Sequence, residues 1–259
     1  MNKLLFFILS LLLTTSCAEQ YNIAGNSSVP CLDGRMLYLK VSPEGATRSL
    51  EARGVCIDSC KVIHGRFNFM GSVDSVMMGM LYTDKQCVMP VVIENGNLNI
   101  QVDNVAQRVS GGPLNDRLYD FFKKRNRMDN EMWELQQKSI RMMREGCTPM
   151  EIEKKLGRKM QKLSRQTEEL ETNFVKDNYQ NVLGPGFFLL LCSQYPTPIM
   201  TEQIKNIIDN APDAFLHHPY VSGYLHQARA RMNAMPIVST EVEGTTTTTT
   251  TTTITITYP

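Results

Sequence analysis

The sequence predicts an α+β chain: an N-terminal antiparallel β-sandwich followed by a helical region built around a long antiparallel helix hairpin. Three observations carry that expectation. From Tyr21 to about Gly112, short β-branched or aromatic runs alternate with Gly, Pro, Asn and Asp, the pattern of strands and turns. After Gly111-Gly112 the apolar spacing changes to a helical period. Thr148-Pro149-Met150-Glu151 then restarts a helix, so two long helices meet through a short turn.

The first residues read as an address. Lys3 gives a positive start, Leu4 to Leu13 form an apolar run broken by Ser10, and Thr14, Thr15 and Ser16 lead to Cys17. At ~1.5 Å per residue such a run crosses about half of a ~30 Å hydrocarbon layer, so it is expected to be cut off rather than to span. Leu13-Thr14-Thr15-Ser16-Cys17 resembles a bacterial lipobox, which assigns residues 1–16 to a signal peptide, Cys17 to lipid attachment and 17–20 to an anchor and tether. Thr14 departs from that pattern, where an aliphatic residue is usual. Ordinary secretory cleavage near Ala18 is the alternative.

Within the β unit, residues 21–112, the expected strands are Tyr21 to Ala24, Met36 to Val41, Gly54 to Ile63, Arg66 to Gly71, Val76 to Thr83, Val88 to Glu94 and Leu98 to Val102. Asn95-Gly96 is the strongest turn signal, because both residues tolerate positive φ. It predicts that Pro90 to Glu94 pairs antiparallel with Asn97 to Ile100.

The helical region, residues 113–236, opens with a stripe of Leu114, Leu118, Phe121, Met128, Met132 and Leu135, ended by Gly146. Thr148 and Glu151 form a capping box with Pro149 at the first helical position. The second stripe is Ile152, Leu156, Met160, Leu163, Leu170 and Phe174, so the two helices are expected to zip together. Shorter helices follow: one around the apolar run Phe187 to Leu191, one from Glu202 to Asp209 capped by Thr201, and one after Pro219. Residues 237–259 include nine consecutive threonines, Thr245 to Thr253, and are expected to be disordered.

Composition narrows the partners. Basic residues number 27 and acidic ones 26, for a net charge of +1, which argues against nucleic acid. Besides Cys17 there are Cys31, Cys56, Cys60, Cys87, Cys147 and Cys192. Cys56 and Cys60 on one extended strand lie roughly 13 Å apart, beyond bridging distance. Mostly unpaired core thiols are therefore expected over a disulfide framework. No Cys-x-x-Cys, Gly-x-Ser-x-Gly or Walker loop occurs, and the four histidines, with a local group at His217 and His218, show no metal spacing, so neither catalytic residue, metal nor cofactor is assigned. Glu94 and Asp103 read as a solvated face near a turn. The Met-rich stripe reads as core, with an adaptable partner groove as the other option. Trp133, the single tryptophan, lies on a helix and gives the β unit no sugar-stacking platform.

One series of short words runs through the β unit: Asp33-Gly34, Tyr38-Leu39, Asp58-Ser59, Gly65-Arg66-Phe67-Asn68-Phe69, Gly71, Ile93-Glu94-Asn95-Gly96, and Val109-Ser110-Gly111-Gly112-Pro113-Leu114-Asn115-Asp116. In order and spacing it resembles the DUF4369 family. The resemblance implies an envelope lipoprotein of Bacteroidota, in which such a β domain commonly precedes a thioredoxin-like domain; the chain is expected to lack that second domain. Asp74-Ser75-Val76 is similar to the O-glycosylation motif of the same bacteria, which would place a glycan on Ser75. The expected role is binding or scaffolding at the outer membrane, on either face, through a lipid anchor and an envelope protein partner. The alternative is an accessory of a membrane-tethered thiol-disulfide system, with Cys56, Cys60 or Cys87 as its redox thiol.

Overall fold

The computed structural model describes residues 19–42, 54–84, 86–104 and 107–234. The expected signal peptide, the expected lipid-attachment residue Cys17 and the threonine tail lie outside the described residues. Among the described residues eight strands, β1 (Glu19–Ser27), β2 (Met36–Val41), β3 (Val55–Lys61), β4 (Arg66–Val73), β5 (Met77–Thr83), β6 (Cys87–Ile93), β7 (Gly96–Val102) and β8 (Gln107–Ser110), form two four-stranded sheets. One sheet runs β4-β1-β7-β8 and the other β3-β2-β5-β6.

Period-2 burial explains the first sheet. In β1, Tyr21 and Ile23 point inward, and so do Phe67 and Phe69 of β4 and Leu98, Ile100 and Val102 of β7. The residues between them, among them Gln20, Ala24, Asn68, Asn99 and Gln101, face solvent. The second sheet is covered on both sides. Leu37, Leu39 and Val91 belong to the main core, whereas Met80 and Tyr82 pack with Leu189 from the helical region. The architecture is thus three layers: a solvated sheet, a middle sheet and helices. That is why β5 and β6 read as near-continuous apolar runs rather than alternating ones.

The expected Asn95-Gly96 hairpin does not form. Strands β6 and β7 belong to different sheets, and the chain uses Gly96, at φ +110°, to cross between them. β7 instead runs parallel to β1, Tyr21 opposite Gly96 and Ser27 opposite Val102, and antiparallel to β8. The sandwich therefore contains one parallel pair in an otherwise antiparallel arrangement. β8, absent from the expected strands, has one fully buried residue, Val109, among its four, too little pattern to announce a strand.

The outer edge of β6 is closed by a helix. Helix α1 (Pro113–Arg144) places Asn115 so that its side chain accepts from Val92 N–H at 2.9 Å and donates to Val92 C=O at 2.7 Å, as a neighbouring strand would. The Tyr119 hydroxyl donates to Pro90 C=O at 2.7 Å, and Pro90 has no N–H to satisfy. Glu94, buried and not solvated as expected, accepts at one oxygen from Asn115 N–H at 3.0 Å and from the Asn115 amide at 2.8 Å. Its other oxygen accepts from Leu114 N–H at 3.4 Å. Gly112, the residue preceding α1, has no capping side chain, so the Glu94 carboxylate fills that role from another element. A Cβ at Gly112 would collide with that carboxylate.

The helix hairpin forms as the two stripes predict. Thr148 and Glu151 make both halves of the capping box at the start of α2 (Pro149–Ile152), a π-helical segment Glu153–Gly157 follows, and α3 (Arg158–Asp177) completes the return. Leu135, Met142, Ile152, Leu156 and Leu163 make a small core of their own, joined by Met128, Met132 and Met160. Nearer the sheets, Phe121 stacks on Phe174 with ring centroids 4.1 Å apart. Helices α4 (Leu183–Ser193), α5 (Glu202–Ile208), α6 (Asp213–Leu216) and α7 (Pro219–Ala234) complete the third layer. α4 buries nine of its eleven residues, and Gly186 lets it approach Met78 where any Cβ would clash. The Thr201 hydroxyl caps α5 as expected, accepting from Ile204 N–H at 3.2 Å.

Replacing Asn115 by Ala would leave two buried backbone groups of Val92 unmet and remove the side-chain donor from Glu94, the backbone N–H of residue 115 remaining. A loss of ~2–4 kcal/mol is expected in urea unfolding, against less than ~0.5 kcal/mol for Lys159→Ala, which removes only an exposed ion pair to Glu131. Equal effects of the two variants would contradict the closure described.

Candidate functional site

The three candidate thiols fall at separate places in the middle sheet. Cys56 and Cys60 lie on edge strand β3, but the register between β2 and β3 shifts at Leu39/Lys40, where a bulge sits between the two cysteines. Cys56 is exposed and lies near Tyr38, its thiol donating to Asp58 C=O at 3.3 Å. Cys60 is half-buried against the main core and hydrogen-bonds the Asn68 backbone. Cys87 starts β6, the opposite edge strand, and packs beside Met80, Tyr82 and Leu190. No two of them converge.

Burial pushes the Cys60 thiol up to about 11; the Asn68 hydrogen bond partly offsets this, and the charge of Asp58 adds to it. A thiol so placed is protonated at neutral pH and is a poor nucleophile. Cys192 in α4 is buried and pushed up further, chiefly by desolvation, beside the Tyr224 hydroxyl. The six cysteines of the described residues are all free, yet Cys192 alone is buried, so the expectation of core thiols holds for one of them. Cys31 and Cys56 are exposed, and Cys60, Cys87 and Cys147 lie between. An extended strand with a bulge exposes what period-2 reasoning hides.

Ser75 occupies an exposed bend between β4 and β5, next to exposed Asp74, and is accessible from solvent. His217 and His218 sit at the junction of α6 and α7, where the His218 ring accepts from Tyr220 N–H at 3.3 Å. Among the described residues, no three His, Cys, Asp or Glu side chains are grouped to hold a metal ion, and no helix is long and apolar enough to cross a membrane. The basic run Lys123 to Arg127 is not a continuous strip: Arg125 turns inward to Glu171 at 2.6 Å and Asp129 at 2.9 Å.

The most distinctive surface lies on the distal half of α1. Met128, Met132 and Met142 face inward to the hairpin core, so the stripe read as core is core. The opposite side exposes Trp133 at 58%, with Ile140 and Met143 also exposed. Beside them runs a groove of about 550 Å³ lined by Glu131, Glu134, Gln137, Lys138, Arg141 and, across the hairpin, Lys159. Sequence reasoning missed this face. The signal was present in Trp133 and Ile140, seven residues apart, but the inward stripe on the same helix is longer and masks it.

Residues 21–118 match the family model of DUF4369, a domain of unknown function. The match continues past the last strand into α1 and so includes Asn115. No curated protein matches the chain.

Below the ordinary thiol value of 9.0 the burial of Cys60 favours the fold; as pH rises through 9.0 toward about 11, the unfolded chain loses its proton first and that contribution disappears. Alkylation at about pH 8 is expected to label Cys31 and Cys56 first, Cys60 only as pH approaches its raised value, and Cys192 only on unfolding. Fast labelling of Cys60 at neutral pH would contradict this ordering.

Proposed function

We propose that this chain, whose residues 21–118 form a DUF4369 domain, is a cell-envelope lipoprotein that acts by binding or scaffolding, without a catalytic site of its own. The anchor is a lipid on Cys17. Lys3, the apolar run Leu4 to Leu13 and the small residues before the cysteine support it, and the outer membrane is its destination. The observation that carries the binding role is the exposed Trp133 ridge on a helix packed on its inner side against its own core, since aromatic anchors concentrate binding energy at interfaces.

The competing reading makes the chain an accessory of a thioredoxin-like system. It requires a thiolate available near neutral pH, and the value of about 11 at Cys60 weighs against that residue. Differential alkylation at graded redox potential separates the two, because an accessory traps a mixed disulfide through Cys56 or Cys87.

Two measurements check the proposal. Metabolic labelling with an alkyne fatty acid is expected to mark the wild type and not Cys17→Ala; equal label on both removes the anchor. A pull-down from detergent-solubilised envelopes is expected to recover the same partner with the intact chain and with one truncated after Asn233, and to lose it with Trp133→Ala. Capture indifferent to Trp133 removes the binding face.

A further inference from the structure

The distal half of α1 carries two unlike flanks. Successive positions on a helix turn by about 100°, so Gln137 lies opposite the buried Leu135 and Met142. One flank of this ridge holds Trp133 and Ile140, the other Glu134, Arg141 and, further round, Lys138. Glu131 is paired with Lys159 at 2.9 Å, but among the described residues no ion pair involves Glu134, Lys138 or Arg141. The charge changes sign along the ionic flank: acid about one turn before Gln137, base after it.

That arrangement is self-complementary under one symmetry. A two-fold axis perpendicular to the helix beside Gln137 reverses its direction and keeps each flank facing its own counterpart. Trp133 then meets Ile140 of a second copy, and Glu134 meets Lys138 and Arg141 of that copy. A parallel two-fold would press the apolar flank onto the ionic one and leave the charges unmatched. We propose that this face pairs antiparallel with the same face of a second copy of this chain. The inference rests on the binding reading above and names its partner.

From Trp133 to Arg141 the helix makes a little over two turns, a contact about 12 Å long at the low end of interface size, so association belongs in the micromolar range. Sedimentation of the full chain in detergent tests it. A monomer–dimer equilibrium is expected below about 100 µM, weakened at least ~10-fold by Trp133→Ala. Two charge variants then decide the register. Glu134→Arg faces Lys138 and Arg141 of its twin, and the pair Lys138→Glu with Arg141→Glu faces Glu134, so each chain alone is expected to be monomeric. Mixed together they are expected to dimerise with each other, because every charge again meets its opposite. Urea midpoints equal to wild type show that each variant is folded.

A wild type that stays monomeric, charge variants that each dimerise alone, or a mixture that stays monomeric overturns the inference. If Trp133→Ala still abolishes envelope capture in that case, the binding reading survives and a different protein covers the face. If capture is also unaffected, both are overturned.

Discussion

The architecture depends on how the free edge of β6 is closed. A strand at the rim of a sheet must satisfy its outward N–H and C=O groups with water, another strand or side chains. Here Asn115 supplies both a donor and an acceptor to Val92 and imitates a strand for one residue pair. Glu94, immediately after β6, binds the amides that open α1, so helix and edge satisfy each other. A helix held this way enters at a fixed position, and its other contacts, from the Phe121–Phe174 stack to the distal hairpin, inherit that position.

This closure explains why the recognisable stretch of sequence runs beyond the last strand. Ile93-Glu94-Asn95-Gly96 and Val109 to Asp116 are distant in sequence but form one polar junction, with Gly111 and Gly112 small because a Cβ would strike Asn97 C=O or the Glu94 carboxylate. A boundary drawn at residue 112 marks a change from strand to helix, not the end of the unit that folds. The middle sheet adds a second dependence. Because β5 presents Met78, Met80 and Tyr82 to the helical layer, removing that layer would expose a wide apolar surface.

What could be read directly from sequence was local chemistry. Met36 to Val41 has the observed bounds, and Thr148 with Glu151 makes the capping box it spells, because neither requires knowledge of a distant partner. The failures are non-local. Asn95-Gly96 has the composition of a hairpin turn, yet pairing is decided by where β1 lies, and β1 is some seventy residues away. Glu94 looks like a solvated acid until Asn115 arrives. The Trp133 ridge is periodic too, but a sequence shows two stripes on one helix without saying which of them meets the rest of the molecule.

The parallel pairing of β1 with β7 has a kinetic meaning. Among the described residues β1 is the first strand to leave the ribosome, and it occupies an interior position in its sheet, between β4 and β7. It can join β4 early, but its other side has no mate until Gly96 to Val102 has been delivered. Closing so long a loop slows assembly and prolongs the interval in which a half-built sheet shows a raw rim to other chains. Release of this polypeptide with its N-terminal strands first therefore places its period of greatest aggregation risk before its β7 segment is free.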